Sequence, residues 1–172
     1  MLANGIGSRY LKQNSTAVPM TDDDRRAQVV HDAANPLALM GGTDAGAHLT
    51  MFCGAGSNLH LVTHWARDEG ALSLEEAVHC LTQRSANFFG LTDRGVIEPG
   101  RRGDLAVFAL DELETRDLER RYDLPEGRYR LTRPPAGFRA VVVAGELTVC
   151  DGDATGALPA RLGSLAEIAT WS

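Results

Sequence analysis

A glycine-spaced loop at residues 38–54, ALMGGTDAGAHLTMFCG, contains a carboxylate and an imidazole only four residues apart in the sequence. Asp44 follows an apolar run that breaks at Gly41 and Gly42, and His48 stands four residues further on. A carboxylate in such a loop can ligate a metal, or accept a proton from a water molecule and return it to a leaving group. The alternative is that Asp44 caps a turn or the following helix, which is a common role of aspartate.

The residues before this loop predict an αβ unit. Thr21 and the aspartates at 22–24 supply a cap and negative charge at a helix start, and Asn35-Pro36 ends the helical pattern. The apolar run at residues 37–40 then has the form of a buried parallel strand. In α/β folds the loops at the carboxyl ends of strands carry the reactive groups, and Asp44 would stand at such an end.

Two helices are predicted after the loop. The first covers NLHLVTHWARDEG, and the second covers ALSLEEAVHCLTQRSANFFGL, where Ser73 and Glu76 form a capping box. Three aromatic side chains fall at helical positions, which favours core packing for each of them: Trp65, Phe88 and Phe89.

Past Gly95 the hydrophobic period shortens and indicates strands. GDLAVFAL and FRAVVVAGELTV predict strands, the second folded into a hairpin at residues 144–146, and the polar stretch between them predicts an irregular connection. We therefore divide the chain into a loosely structured lead-in at 1–20, an α/β part at 21–94 and a β-rich part at 95–172.

Composition and charge exclude several classes of protein. Of the 172 residues 44% are hydrophobic and 23% charged, as in soluble globular proteins. The net charge is −6, and no lysine- or arginine-rich run with interleaved aromatics occurs, which argues against a nucleic-acid surface.

Cysteine usage and apolar runs indicate the compartment. Cys53, Cys80 and Cys150 are odd in number and widely spaced, which fits neither a disulfide framework nor a CxxC metal site. The first residues lack the apolar segment of a signal peptide, and no run approaches the roughly 20 apolar residues of a spanning helix. We expect a cytoplasmic protein without membrane contact, and we expect Cys53 to be a small buried side chain.

Three motifs carry a resemblance to a known family. They are T-D-A-G-A-H at 43–48, G-x-I-x-P-G-x-x-x-D-L at 95–105 and T-G-A-L-P-x-R-L at 155–162. With the sequence around them, they resemble the C-terminal part of the N-acyl-D-amino-acid deacylase (D-aminoacylase) group of the amidohydrolase superfamily. The second motif supports the superfamily, and the other two support the deacylase group.

The resemblance implies an α/β fold built as a metal-dependent (β/α)8 barrel beside a small β-sandwich. This chain would supply the last αβ unit of the barrel, the helices that follow it and the C-terminal strands of the sandwich. It implies hydrolysis of an N-acyl amino acid or a related amide with Zn2+ in the intact family. Asp44 would be both the catalytic base and a metal ligand, and His48 would face the substrate.

The histidines depart from the family pattern, because no H-x-H pair occurs among the five: His31, His48, His60, His64 and His79. One aspartate cannot hold a catalytic zinc, which normally takes three protein ligands. We therefore expect this chain alone to retain no zinc and to show little deacylase activity. His60 and His64 have a zinc-compatible spacing but lack the glutamate of H-E-x-x-H, so a metal role is less favoured. His31 and His79 are expected to face solvent.

The alternative function is non-catalytic. A lone barrel strand leaves two unpaired edges and an exposed apolar face, which association with another polypeptide would cover. On this hypothesis the chain is an assembly or complementation partner, either by self-association or with an upstream complementing chain.

Overall fold

The computed structural model describes residues 21–42 and 49–160. The first helix, α1, spans Asp22–Ala34. The Asp24 N–H donates to Thr21 Oγ1 at 3.1 Å, and the Thr21 N–H donates to Asp24 Oδ2 at 2.9 Å. This reciprocal capping satisfies two amides that have no partner inside the helix. The helix ends at Asn35, before Pro36, so the predicted helix and both of its boundaries are confirmed.

The predicted buried strand at residues 37–40 is wrong. Leu37 lies in a turn and is 85% exposed, and residues 38–40 belong to no strand. The three sheets of the described residues are all built from the chain after residue 104. A strand requires a neighbour that takes up its backbone hydrogen bonds, and residues 37–40 have no such neighbour among the described residues.

Both helices predicted after the loop are present, with two differences. The first is a π-helix, Leu61–Asp68, which ends before Gly70. The second begins at the predicted Ser73–Glu76 capping box but divides at Thr82, whose φ of −119° and ψ of −89° are not helical. Its two parts are α2, Leu74–Leu81, and α3, Gln83–Phe88.

The helices bury a narrower face than expected. Ala77 and Cys80 are buried in the core and Trp65 packs against it, but Phe88 and Phe89 are each 61% exposed. The expectation of core packing is therefore wrong for the two phenylalanines. Helix α3 has only six residues, and its single buried residue is Ala86.

The described residues contain eight strands: β1 Leu105–Phe108, β2 Glu114–Thr115, β3 Glu119–Arg121, β4 Arg130–Thr132, β5 Pro135–Ala136, β6 Phe138–Val143, β7 Glu146–Cys150 and β8 Asp153–Ala154. Four of them form an antiparallel sheet in the order β1-β6-β7-β8. Ala144 and Gly145, both with positive φ, connect β6 to β7 as in a type I′ turn, so the predicted hairpin is confirmed.

The stretch predicted to be irregular contains two short ladders. Strand β2 pairs with β5, and β3 pairs with β4. Between β3 and β4 the chain turns through a short 3-10 helix, Pro125–Gly127. The two bonds from the Arg130 guanidinium to the Asp123 carboxylate, at 2.8 and 2.7 Å, tie the turn to β4.

One hydrophobic cluster joins the helices to the strands. Its buried members are Ala33, Leu61, Val62, Leu72, Ala77, Cys80 and Leu113. Leu113 is completely buried, and Phe108 and Phe138 pack against the cluster from β1 and β6. No helix of the described residues is long and apolar enough to cross a membrane.

The three cysteines differ in exposure. Cys53 and Cys80 are buried, as expected for Cys53, whereas Cys150 is exposed at the end of β7. Burial raises the pKa of the Cys80 thiol, because the thiolate would lose its hydration. All three thiols are free.

Candidate functional site

Asp44 and His48 lie outside the described residues, so their roles stay predictions. The structure does describe both ends of the segment that carries them. Residues 41 and 42 lead into it, and residue 49 leads out of it.

The incoming end is held by the residues around Asn58. The Gly42 N–H donates to Asn58 Oδ1 at 2.9 Å. Gly41 has a φ of +107°, and a Cβ added there would lie 3.1 Å from Leu81 Cδ2 and 3.4 Å from Asn58 Oδ1. A side chain at Gly41 would therefore be strained in its backbone and crowded against two neighbours.

The outgoing end is held by the β-rich part of the chain. The Leu131 N–H, on β4, donates to the Leu49 carbonyl oxygen at 2.8 Å. Residue 131 is far from residue 49 in sequence, so the loop is tied to a distant element. Cys53, four residues after Leu49, is buried, which secures the chain soon after it leaves the loop.

The two histidines at i, i+4 spacing stack at the start of the π-helix, where His60 directly precedes the helix and His64 lies within it. The rings of His60 and His64 lie 4.6 Å apart between centroids with an interplanar angle of 11°. The rings of Trp65 and His64 are in edge-to-face contact, with their centroids 4.7 Å apart. Desolvation, and secondly the charge of His64, lower the pKa of His60, although Asp68 acts in the opposite sense.

A cleft of about 260 Å³ opens between α1, the incoming end of the loop and the helices after it. Its apolar lining comes from Val29, Met40, Leu61, Trp65 and Leu81, and its polar lining from Gly41, Gly42, Ser57, Asn58 and His60. The cleft is smaller than most small-molecule sites, which measure about 300 to 1,000 Å³. The cleft lies directly beside the backbone that leads to Asp44.

The described residues do not fit a metal ion. Among residues 21–42 and 49–160, no three histidine, cysteine, aspartate or glutamate side chains lie close enough together to hold one. His60 and His64 are only two groups, and a catalytic zinc normally takes three protein ligands. His31 and His79 are exposed, as predicted.

Asn58 is the residue of this site that the sequence did not indicate. An asparagine directly before a helix predicts a local capping role. Its contact with Gly42 spans sixteen residues, and no spacing rule links an asparagine to a glycine amide at that separation.

The model of the amidohydrolase family matches residues 32–149, which is more than half of the chain. The chain therefore belongs to the amidohydrolase family. The matched range includes the loop with Asp44 and His48, the π-helix and the strands from β1 to β6.

Individual relatives match over a shorter range. The dihydroorotase of Lactobacillus gasseri is 30% identical over 95 residues, which are 54% of this chain and 20% of that protein. The dihydroorotase of Lactobacillus acidophilus is 30% identical over 94 residues, with the same coverage. The chain spans about a fifth of the length of these curated relatives.

Two solved structures are also similar. One belongs to a study of the binuclear metal centre of D-aminoacylase, and it shares 31% identity with a TM-score of 0.46. The other is a D-aminoacylase variant, D366A, in complex with copper chloride, with the same identity and TM-score. Each match covers 58% of this chain and 19% of the other.

Proposed function

We propose that this chain takes part in the hydrolysis of a carbon–nitrogen amide bond, with Asp44 as the group that moves the proton. The observation that carries the proposal is the family match over residues 32–149, because that range includes the T-D-A-G-A-H loop. The exact substrate class we propose is an N-acyl-D-amino acid. It rests on the T-D-A-G-A-H and T-G-A-L-P-x-R-L motifs, with His48 facing the substrate.

In the proposed reaction a water oxygen bonds to the amide carbon and the carbon–nitrogen bond breaks. The Asp44 carboxylate takes a proton from the water and then gives it to the departing amine nitrogen, so the carboxylate is regenerated. Because the described residues do not fit a metal, no step is assigned to one. The role of Asp44 as a ligand of Zn2+ stays a prediction.

The test compares the chain alone with the chain supplemented by the earlier barrel segments of a D-aminoacylase, supplied as a separate polypeptide. Hydrolysis of N-acetyl-D-amino acids is measured with and without added zinc, and dihydroorotate is the comparison substrate. We expect little turnover by the chain alone and hydrolysis in the supplemented sample. Asp44→Asn should lower kcat there by roughly 10²- to 10⁴-fold, because asparagine cannot take up the proton.

His79→Gln is the matched control, since it changes an exposed histidine on α2. Turnover that Asp44→Asn leaves intact would contradict the proposal. Zinc-loaded chain that is active by itself would contradict the expectation of little activity alone. Faster hydrolysis of dihydroorotate than of N-acetyl-D-amino acids would indicate that the substrate is a cyclic amide and not an acyclic one.

A second candidate function is that of a complementation partner. Large apolar side chains are exposed at several places in the described residues: Leu37 at 85%, Met51 at 74%, Phe88 and Phe89 at 61% each, and Ile97 at 88%. Exposed apolar groups that adjoin one another, as Phe88 and Phe89 do, favour association with another protein surface. The occupant we propose is a polypeptide that carries the rest of the amidohydrolase barrel.

A further inference from the structure

Two imidazole rings lie face to face where the π-helix begins. The ring centroids of His60 and His64 are 4.6 Å apart, and their planes differ by only 11°. The indole of Trp65 lies edge to face with both rings, with centroid distances of 6.3 Å to His60 and 4.7 Å to His64. Because Trp65 also packs against the hydrophobic cluster, the stack is anchored to the core on one side.

The charges around this stack balance one added proton better than two. In the described part of the chain, the charged groups that act on His60 are His64, which opposes its protonation, and Asp68, which favours it. The Asp68 carboxylate is already bound by a cation, because Arg67 Nε donates to Asp68 Oδ1 at 2.7 Å. A second proton on the stack would therefore meet repulsion that Asp68 only partly offsets.

Apolar side chains from two neighbouring helices line the same cleft as His60. They are Val29 of α1 and Leu81 of α2. Loss of hydration, followed by the charge of His64, lowers the pKa of His60 from its ordinary value of 6.5. The unfolded chain takes up this proton near pH 6.5 and the folded stack resists it, so a fall in pH below that value favours separated rings.

The stack joins the turn before the π-helix to the helix itself, and the two sides are held unequally. On the turn side, the His60 N–H donates to the Ser57 carbonyl oxygen at 3.2 Å, and the Leu61 N–H bond to the same turn measures 3.3 Å. On the helix side, the His64 carbonyl oxygen accepts a shorter bond, 2.8 Å, from the Glu69 N–H. Since long hydrogen bonds are the weaker ones, the turn that carries His60 is the side that would move.

We propose that the His60–His64 stack is a pH-sensitive switch, which keeps the turn before the π-helix closed while the two rings share at most one proton. Two unit charges at 4.6 Å repel each other, so a second proton separates the rings and loosens the turn. The cleft, whose wall includes His60 and Trp65, then changes shape with pH. π-helices are rare and frequently occur at functional sites, which suits this role. The switch goes beyond the proposed function, since it involves no substrate and no barrel segment.

The first test follows the ring Cε1–H resonances of the histidines in the full chain by NMR, as the pH is lowered from the alkaline side to the onset of acid unfolding. We expect His60 and His64 to take up their protons in two separate steps. In His64→Gln the pKa of His60 should rise, because glutamine carries no charge. His79→Gln changes an exposed histidine of α2 and should leave both curves as they are. A His60 curve that His64→Gln does not alter would overturn the proposal.

The second test measures hydrogen exchange of backbone amides over the same pH range, corrected for the intrinsic pH dependence of exchange. In the wild type the protection of the Leu61 amide should fall roughly three- to tenfold as both rings become charged, the effect expected for two hydrated unit charges at this spacing. The Glu69 amide, at the far end of the π-helix, is the internal reference and should keep its protection.

Two single variants decide between the stack and a general effect of acid. His60→Gln and His64→Gln each leave one ring, so in both the fall in Leu61 protection should disappear. His60 is exposed over part of its surface, so His60→Gln tests the proposal even if His64→Gln does not fold. Wild-type protection that does not change with pH, or an equal fall in His60→Gln, would overturn the proposal.

Discussion

Gly137, between β5 and β6, packs directly against the backbone of the segment that contains Ala109 and Leu113. Its φ is +77°, and an added Cβ would lie 2.5 Å from the backbone nitrogen of Leu113. The carbonyl oxygen of Gly137 also accepts a hydrogen bond from the Ala109 N–H at 2.8 Å. Because Leu113 is fully buried in the core, the backbone at Gly137 cannot move away from it without disturbing the cluster.

We expect Gly137→Ala to lower the free energy of unfolding by roughly 3 kcal/mol or more, since the methyl group would overlap backbone atoms. Gly145→Ala is the matched control, because Gly145 has a φ of +83° but open space around it. The control should cost about 1 to 2 kcal/mol, the strain of a left-handed conformation alone. Urea denaturation followed by circular dichroism measures the free energy of unfolding of both variants. Equal losses of stability in Gly137→Ala and Gly145→Ala would contradict the steric argument.

At the scale of elements, the sequence predicts features that depend on nearby residues, and it does not predict contacts between distant ones. The capping boxes at Thr21 and Ser73, and the hairpin at residues 144–146, use contacts within a few residues, so the sequence contains all the information they need. The strand at 37–40 requires a partner from elsewhere in the chain. The Asn58 contact with Gly42 likewise joins distant residues, so no local pattern could indicate it.

The capping box of α2 makes a prediction at this scale. The Glu76 N–H donates to the Ser73 hydroxyl at 3.1 Å, so Ser73→Ala leaves that amide without its side-chain partner. We expect a loss of about 1 kcal/mol in the free energy of unfolding. Thr92→Ala removes an exposed hydroxyl that lies outside the helices and should cost less. A loss no larger than that of the control would argue against the cap.

The same box has a pH dependence. The Ser73 N–H and, to a smaller extent, its hydroxyl donate to the Glu76 carboxylate and lower its pKa below 4.5. The stabilisation is therefore complete above about pH 4.5 and is lost as pH falls through the folded-state pKa. The stability difference between wild type and Glu76→Gln should narrow over that range, and a constant difference would exclude this linkage.

At the scale of the whole molecule, one cluster connects helices and strands while much of the apolar surface stays uncovered. The four-stranded sheet exposes Leu105, Val107 and Leu147, and α3 ends in two exposed phenylalanines. The rings of Phe88 and Phe89 meet edge to face at 5.1 Å between centroids, which presents a joint aromatic surface. Aromatic groups of this kind carry much of the binding energy in protein interfaces.

A double variant, Phe88→Asp with Phe89→Asp, should weaken binding to the barrel polypeptide at least tenfold, because two charges would be desolvated in the interface. The free energy of unfolding should change little, since both rings are exposed. Calorimetric titration measures the binding, with Tyr122→Asp as an exposed aromatic control. If the double variant binds the barrel polypeptide as tightly as the wild type does, the two phenylalanines do not lie in the interface. If the wild-type chain forms a metal-free homodimer that the double variant does not form, the two phenylalanines mediate self-association instead.

The uneven burial of the three thiols gives the native protein a single chemical handle. A maleimide dye or spin label should react first at Cys150, because Cys53 and Cys80 are enclosed. The label would sit at the end of β7, beside the turn to β8, with no residue exchanged. Assembly with another polypeptide could then be followed from the sheet side by fluorescence, in the unaltered sequence.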